Sequence, residues 1–85
     1  MTSKQIIKEL VRTTLNKNQT QALEEFIDNL GVDVFKNSTL LKVINRNDLD
    51  SVPTELARWV VESGRRSDEM AIQRQKEIEL FTQTP

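Results

Sequence analysis

The sequence of 85 residues contains no cysteine and no histidine. Without cysteine the chain has no disulfide framework and no thiolate chemistry. Without histidine it lacks the commonest metal ligand and the usual general base near neutral pH. We therefore expect neither a metal site nor a bound cofactor.

The sequence also lacks a large excess of positive or negative charge, and it has no long apolar run. Twelve basic and thirteen acidic residues give a net charge of −1, which disfavours broad binding to nucleic acids or anionic membranes. Ile6-Ile7 and Leu10-Val11 are separated by charged residues, and no apolar run approaches the roughly 20 residues of a membrane-spanning helix. We expect a cytoplasmic protein of a bacterial host, without an export signal and without a membrane or nucleic-acid partner.

Apolar residues recur with helical spacing along the whole chain. The clearest stripe is Ala22, Leu23, Phe26, Ile27 and Leu30, which predicts an amphipathic helix with this face in the core. Only two glycines and short connections separate such stripes, and this leaves no room for a linker. The sequence predicts one all-α domain over residues 1–85, a compact bundle of about five to six short helices, with 82–85 frayed and no strand.

Polar residues and glycines mark the expected helix ends. Gly31 should end the second helix in a left-handed conformation, and Ser63-Gly64 should end the fourth helix, whose first turn contains Pro53. The last helix should turn Met70, Ala71, Ile78 and Phe81 inward. The expected N-caps are Ser3, Asn16 or Asn18, Ser38, Ser51, and Ser67 or Asp68.

Several fragments of the sequence, in a characteristic order, resemble one protein family. Residues 15–83 resemble the C-terminal lobe of the phage-type lysozymes, the endolysins of lambdoid and T-even phages, and residues 1–14 would correspond to the helix that joins their two lobes. The matching fragments are Leu15-Asn16-Lys17-Asn18-Gln19, Asn29-Leu30-Gly31-Val32, Phe35, Ser38-Thr39-Leu40-Leu41, Ile44-Asn45, Leu56, Arg58-Trp59, Gly64-Arg65, Arg74, Glu77 and Leu80-Phe81.

The resemblance implies that the chain is not an enzyme. The family's catalytic Glu, its Asp or Cys, and its Thr lie in an N-terminal lobe with a glycine- and tyrosine-containing hairpin that ends near a histidine. This sequence has no tyrosine, no histidine and no glycine before Gly31. Because glycoside hydrolysis needs an acid and a second group about 5–10 Å apart, we predict no catalytic residues.

The resemblance also implies that one face of this lobe forms a wall of the family's sugar cleft. The sequence departs from the family's pattern there: Asp28 replaces a Phe or Tyr, Glu69-Met70 a Gly-Leu pair, Gln73 one member of an Arg pair, and Asp33 a small residue. An aromatic ring packs against a sugar, and a carboxylate does not. The core positions match, so we expect a retained fold with a changed binding surface.

Two further features have a structural and a functional interpretation. Trp59, the only tryptophan, is either a packed residue or an anchor in an interface, where tryptophan is enriched. Arg65-Arg66 is either a solvated turn or a contact for a carboxylate-rich partner. The predicted interaction surface therefore contains Asp28, Asp33, Trp59, Arg65, Arg66, Gln73 and Arg74.

Three functions are compatible with these observations. The preferred one is a non-catalytic protein-interaction module of phage or prophage origin, such as an inhibitor or anti-defence factor, which binds a host or phage protein or a second copy of itself. The alternative is a peptidoglycan-binding remnant or a fragment of an endolysin, although Met1 before Thr2-Ser3 is typical of a natural start. A helix-turn-helix DNA binder is disfavoured, because acidic residues interrupt the basic cluster of residues 58–76.

Overall fold

The computed structural model describes residues 2–62 and 64–83. The chain is all-α, as predicted, and the described part holds six α-helices. One short hairpin interrupts them before the last helix. In chain order the elements are α1 (Ser3–Leu10), α2 (Lys17–Leu30), α3 (Val32–Lys36), α4 (Thr39–Asn45), a 3₁₀ turn (Leu49–Ser51), α5 (Val52–Ala57), β1 (Val61–Glu62), β2 (Arg65–Arg66) and α6 (Asp68–Thr82).

Side-chain caps explain where the helices begin. Asn16 forms a capping box with Gln19 at the start of α2, Ser38 accepts from the N–H of Leu41, and Ser67 accepts from that of Met70. These bonds satisfy N–H groups that a helix leaves unpaired, and they confirm three of the predicted caps.

Other predicted helix ends need adjustment. Thr2, and not Ser3, caps α1 through a capping box with Gln5. Ser51 precedes α5, but its hydroxyl donates to Asp48 Oδ2 instead of capping the helix. Gly31 ends α2 with φ of 98° and ψ of 160°, a positive-φ conformation that favours glycine.

The predicted end of α5 is wrong. The helix stops at Ala57, and the chain then forms an antiparallel pairing of Val61 with Arg66 and Glu62 with Arg65. Gly64, with φ of 79°, lies in the turn of this hairpin. Two residues per strand are too short for an alternating pattern to be visible in the sequence. Ser63, Thr84 and Pro85 lie outside the described residues, and Thr82 is the last residue of α6.

The longest helices, α2 and α6, pack against each other, and α5 packs against α6 as well. Phe26 packs edge-on against Phe35 and Trp59, with ring centroids 6.2 and 5.8 Å apart. The buried apolar residues are Ile6, Ile7, Ala22, Leu23, Phe26, Ile27, Phe35, Leu40, Leu41, Val43, Ile44, Val52, Leu56 and Phe81.

Asn45, the last residue of α4, hydrogen-bonds the end of α1 and the segment that follows it. Its Nδ2 donates to the carbonyl of Leu10 at 2.9 Å, and its Oδ1 accepts from the N–H of Arg12 at 2.8 Å. Thr13 Oγ1 donates to the carbonyl of Ile44 at 2.6 Å. The segment of residues 10–13 is thus hydrogen-bonded to the end of α4. None of the described helices is long and apolar enough to cross a membrane.

Candidate functional site

A groove of about 530 Å³ opens where the end of α2, strand β1 and the first turns of α6 meet. Its lining is mixed, with an apolar side from Leu30, Val61 and Met70 and a polar side from Asn29, Glu69 and Gln73. Apolar surface interrupted by a few placed polar groups is typical of small-molecule sites. We take this groove as the candidate site.

A buried ion pair lies beneath the groove. Arg74 and Glu77 are three residues apart on α6, which places them on one face of the helix, and they are only 1% and 0% exposed. The guanidinium donates from Nε to Glu77 Oε1 at 2.7 Å and from Nη2 to Oε2 at 2.6 Å. Such bidentate, charge-assisted bonds are among the strongest that proteins make.

Further contacts compensate for the desolvation of this pair. Arg74 Nη2 also donates to Asn29 Oδ1 at 2.9 Å, and Nη1 donates to the carbonyl of Trp59 at 3.4 Å. The guanidinium carbon lies 5.2 Å from the centroid of the Phe26 ring, close enough for a cation–π contact. Among the described residues, every buried side-chain nitrogen and oxygen has a hydrogen-bond partner, so a charged pair can persist inside the core.

The same pair fixes two amides in the groove. An arginine can only donate, so Asn29 must direct its oxygen towards Arg74 and keep Nδ2 on its other side. A carboxylate can only accept, so Gln73 must donate from Nε2 to Glu77 Oε2, at 3.0 Å, and keep Oε1 on its other side. The buried pair therefore determines which end of each of these two groove-lining amides faces it.

The structure separates the residues of the predicted interaction surface. Gln73 lines the groove, whereas Arg74 is buried behind it, so the placement of Arg74 on a surface is wrong. Its long apolar stem can be buried, and its guanidinium makes four hydrogen bonds inside the fold. Asp28 is exposed and accepts a hydrogen bond from the Ser3 hydroxyl, which links α1 to the end of α2.

The remaining predicted residues lie around the groove and not in its described lining. Asp33 is exposed in the first turn of α3. Trp59 is half-buried against Phe26, in agreement with its structural interpretation. Arg65 and Arg66 are exposed on β2. A binding role for these residues stays a prediction.

Asn29 and Glu77 have roles that the sequence did not indicate. Both belong to the fragments that match the family, but a Glu three residues after an Arg on a helix is usually a solvated surface pair. A charged pair on the core-facing side of α6 could have been suspected only from the position of Phe81, four residues after Glu77.

Taken together, the fold and the groove define a small helical domain that presents a polar binding face supported by a buried ion pair. Comparison with known proteins then identifies it. The family model for phage lysozyme matches residues 1–77, and the chain belongs to this family.

The relatives are phage endolysins and lysozyme-fold structures. The chain is 43% identical to the SAR-endolysin of Escherichia phage Mu, over 78% of this chain and 43% of that protein. It is 33% identical to the endolysin of Salmonella phage P22, over 88% of this chain and 51% of that protein. The chain therefore spans about half the length of these curated relatives.

Two solved structures show the same fold. A crystal structure of a mutant of the P22 lysozyme superposes with a TM-score of 0.84 at 30% identity, over 94% of this chain and 54% of that one. The muramidase domain of SpmX from Asticaccaulis excentricus superposes with a TM-score of 0.89 at 24% identity, over 96% of this chain and 58% of that one.

These comparisons correct one prediction from the sequence. The expectation that the chain is not an enzyme is contradicted, because the chain belongs to the phage lysozyme family and its curated relatives are named endolysin and SAR-endolysin. The expectation relied on catalytic residues missing from 85 residues, but the relatives are about twice as long as the matched part. Family membership carries more weight than the missing residues.

Proposed function

We propose that this chain is the helical, C-terminal lobe of a phage-type lysozyme and that its groove is one wall of the glycan cleft. A lysozyme cuts the glycan strands of peptidoglycan. Hydrolysis of such a strand needs an acid and a second group about 5–10 Å apart, and it also needs surfaces that hold the sugar in place for them. In this proposal the groove is one such surface.

One observation carries the proposal. Three residues that the resemblance assigns to the cleft wall, Glu69, Met70 and Gln73, meet Asn29 in a single groove. These residues come from α2 and α6, which are far apart in sequence. The apolar residues beside them offer the kind of surface that the face of a sugar ring needs.

Co-sedimentation with purified peptidoglycan sacculi tests the proposal, and the chain offers a matched pair of variants. Val61 lines the groove and is 55% exposed, whereas Ile72 lies outside the described lining and is 59% exposed. Val61→Glu and Ile72→Glu therefore make the same change at similar exposure. We expect the wild type and Ile72→Glu to pellet with sacculi and Val61→Glu to remain in the supernatant.

Two other results would contradict the proposal. A wild-type protein that does not pellet has no glycan-binding wall. A Val61→Glu variant that pellets as well as Ile72→Glu binds sacculi through another surface. Turbidity of the same suspension reports whether the strands are cut.

The other expectations from the sequence stay predictions. They are a protein partner or a second copy of the chain, and a location in the cytoplasm. Exposed Val61 and Ile72 are single apolar residues, which are common on protein surfaces and do not by themselves indicate a partner.

A further inference from the structure

We infer that a second groove, which lies between α1 and α2, binds an acidic amphipathic helix of a partner protein. We call it the α1–α2 groove. Its described lining shares no residue with the groove that Leu30, Val61 and Met70 line, so this inference does not rest on the proposed function.

The α1–α2 groove consists of two adjoining depressions of about 340 and 410 Å³. Lys4, Leu15 and Thr20 line both of them, which makes them one continuous feature. Helix α1 packs against α2, and the Ser3 hydroxyl donates a hydrogen bond to Asp28, so the start of α1 lies beside the end of α2. The two helices therefore run in opposite directions along the two sides of the α1–α2 groove.

Each side of the α1–α2 groove is a single stripe of side chains. The first stripe consists of Lys4, Ile7, Lys8 and Val11. The second consists of Lys17, Thr20, Gln21 and Glu24. Both have the i, i+3, i+4, i+7 spacing of one helix face, and each is about 10 Å long. A channel of this length between two packed helices accommodates about two turns of a third helix.

The floor of the α1–α2 groove is apolar and recessed. Ile7 is 6% exposed, and Val11 and Leu15 are half-buried. A ridge of apolar side chains on a partner helix can reach such a floor, whereas a flat bilayer surface stops at the rim. The shape thus favours a helix over a lipid surface.

The rim supplies a charge that the partner must complement. Lys4, Lys8 and Lys17 are exposed, and Glu24 is the one carboxylate of the described lining. The two ion pairs found among the described residues involve no lysine. Lys4 and Lys8 stand one helical turn apart, so they complement two carboxylates that are one turn apart on a partner helix.

The same charges argue against a second copy of the chain as the occupant. A two-fold dimer brings the same patch of both copies together, so the lysines of one copy would approach those of the other. Like charges in an interface repel each other. The α1–α2 groove therefore fits a partner helix whose apolar stripe is bordered by aspartate or glutamate.

Three designed peptides test this surface. Each is an acetylated and amidated amphipathic helix of about 15 residues, a length at which helix formation becomes feasible. The acidic peptide carries a leucine stripe bordered by glutamates. The basic peptide has lysines in place of the glutamates, and the polar peptide has glutamines in place of the leucines. Fluorescence anisotropy of the labelled peptides measures their Kd for the full chain.

Charge reversal at the rim is matched by charge reversal elsewhere. Lys8 and Lys42 are both exposed lysines in the last turn of a short helix, but only Lys8 belongs to the described lining. Lys8→Glu and Lys42→Glu therefore lose the same favourable interaction with a helix dipole and differ in their effect on the rim. Lys17→Glu changes the rim from the α2 side.

We expect the wild type to bind the acidic peptide more tightly than the basic or the polar peptide. Lys8→Glu and Lys17→Glu should each raise the Kd of the acidic peptide about 5- to 10-fold, because an exposed attraction becomes a repulsion. Lys42→Glu should leave this Kd unchanged. The double variant Lys8→Glu/Lys17→Glu should prefer the basic peptide.

Several results would overturn the inference. If the acidic peptide binds with a Kd weaker than about 1 mM, or no more tightly than the basic peptide, the lysines do not select a partner. Equal losses in Lys8→Glu and Lys42→Glu place the binding on another surface. Equal binding of the polar and acidic peptides means that the apolar floor is not used.

Two further measurements identify the other occupants. A wild-type dimer in sedimentation velocity that the acidic peptide dissociates would assign the α1–α2 groove to a second copy. Flotation of the wild type, but not of Lys8→Glu, with phosphatidylglycerol vesicles would assign it to a lipid surface. Failure of the proposed function is separate, because a wild type that does not pellet with sacculi overturns only the glycan-binding wall. If that wall is present, Lys8→Glu should pellet with sacculi as the wild type does.

Discussion

Two arginine–glutamate pairs of this protein have the same spacing but differ in the exposure of the arginine. On α6, Arg74 and Glu77 are joined at 2.6 Å with side chains 1% and 0% exposed. At the end of α5, Arg58 and Glu55 are joined at 3.3 Å with side chains 68% and 13% exposed. Both pairs stand three residues apart on or beside a helix.

The difference shows that residue type and spacing do not determine what an ion pair does. An exposed pair is screened by water and contributes about 0–1 kcal/mol. A buried pair is desolvated at a large cost, which only excellent geometry and additional hydrogen bonds offset. The pair on α6 has those bonds to Asn29, Gln73 and the Trp59 carbonyl and so connects residues that line the groove, whereas in the pair on α5 the Arg58 side chain lies mostly in solvent.

The largest effect is expected where the buried pair meets the aromatic core. Phe26→Ala removes a ring that is 0% exposed and that contacts both Trp59 and the Arg74 guanidinium. The cavity should lower the free energy of unfolding by about 3–5 kcal/mol, a large share of the roughly 5–15 kcal/mol of a native domain. Urea denaturation measures it, with Ile72→Ala as the surface control. If the urea midpoint of Phe26→Ala equals that of the wild type, Phe26 is not a core residue.

Removing one member of the buried pair should cost nearly as much. Glu77→Ala leaves the Arg74 guanidinium in the core without its carboxylate, and an uncompensated buried charge costs about 3–5 kcal/mol. Glu79→Ala, at an exposed position of the same helix, should change stability by about 0.5 kcal/mol or less. Equal losses in the two variants, measured by urea denaturation, would mean that burial does not distinguish the two environments.

Replacing both members should cost less than removing one. In Arg74→Met/Glu77→Met no charge is left in the core, and such replacements of buried pairs are often neutral or stabilising. Asn29 and Gln73 lose their partners, so we expect stability within about 2 kcal/mol of the wild type, together with weaker pelleting with sacculi. A double variant that pellets as well as the wild type would show that the pair stabilises the fold but does not support binding in the groove.

The same contrast explains how much of this molecule the sequence predicted. Local sequence patterns were sufficient to predict the all-α class and the apolar face of α2. They were also sufficient for the caps Asn16, Ser38 and Ser67, because a cap acts within one helical turn. The hairpin after α5 escaped prediction because two paired residues per strand carry no periodicity. The burial of Arg74 was not predicted for a different reason. A charged residue on an amphipathic helix is expected in solvent unless its buried partners are known.

The site was predictable only in part, and again for physical reasons. The resemblance indicated Gln73, Glu69 and Met70 as cleft-wall positions, and these residues do line one groove. The orientation of Asn29 depends on a donor 45 residues away in sequence, and no local pattern contains that information. The prediction that the chain is not an enzyme relied on the absence of the family's catalytic residues, and it is contradicted by membership of a lysozyme family whose relatives are about twice as long as the matched part.

The smallest effect should come from the exposed pair. Arg58→Ala removes a guanidinium that is mostly in solvent, so its loss should change the free energy of unfolding by at most about 1 kcal/mol. The side chain of the remaining Glu55 is 13% exposed, whereas that of Glu77 is 0% exposed, so water can reach Glu55 when its partner is removed. Raising the salt concentration should shrink the effect further, because exposed pairs are screened, while the cost of Glu77→Ala should hardly change. If instead salt weakens the effect of Glu77→Ala as strongly as that of Arg58→Ala, water reaches the pair on α6. The amides of Asn29 and Gln73 are then not held in one orientation by a buried pair.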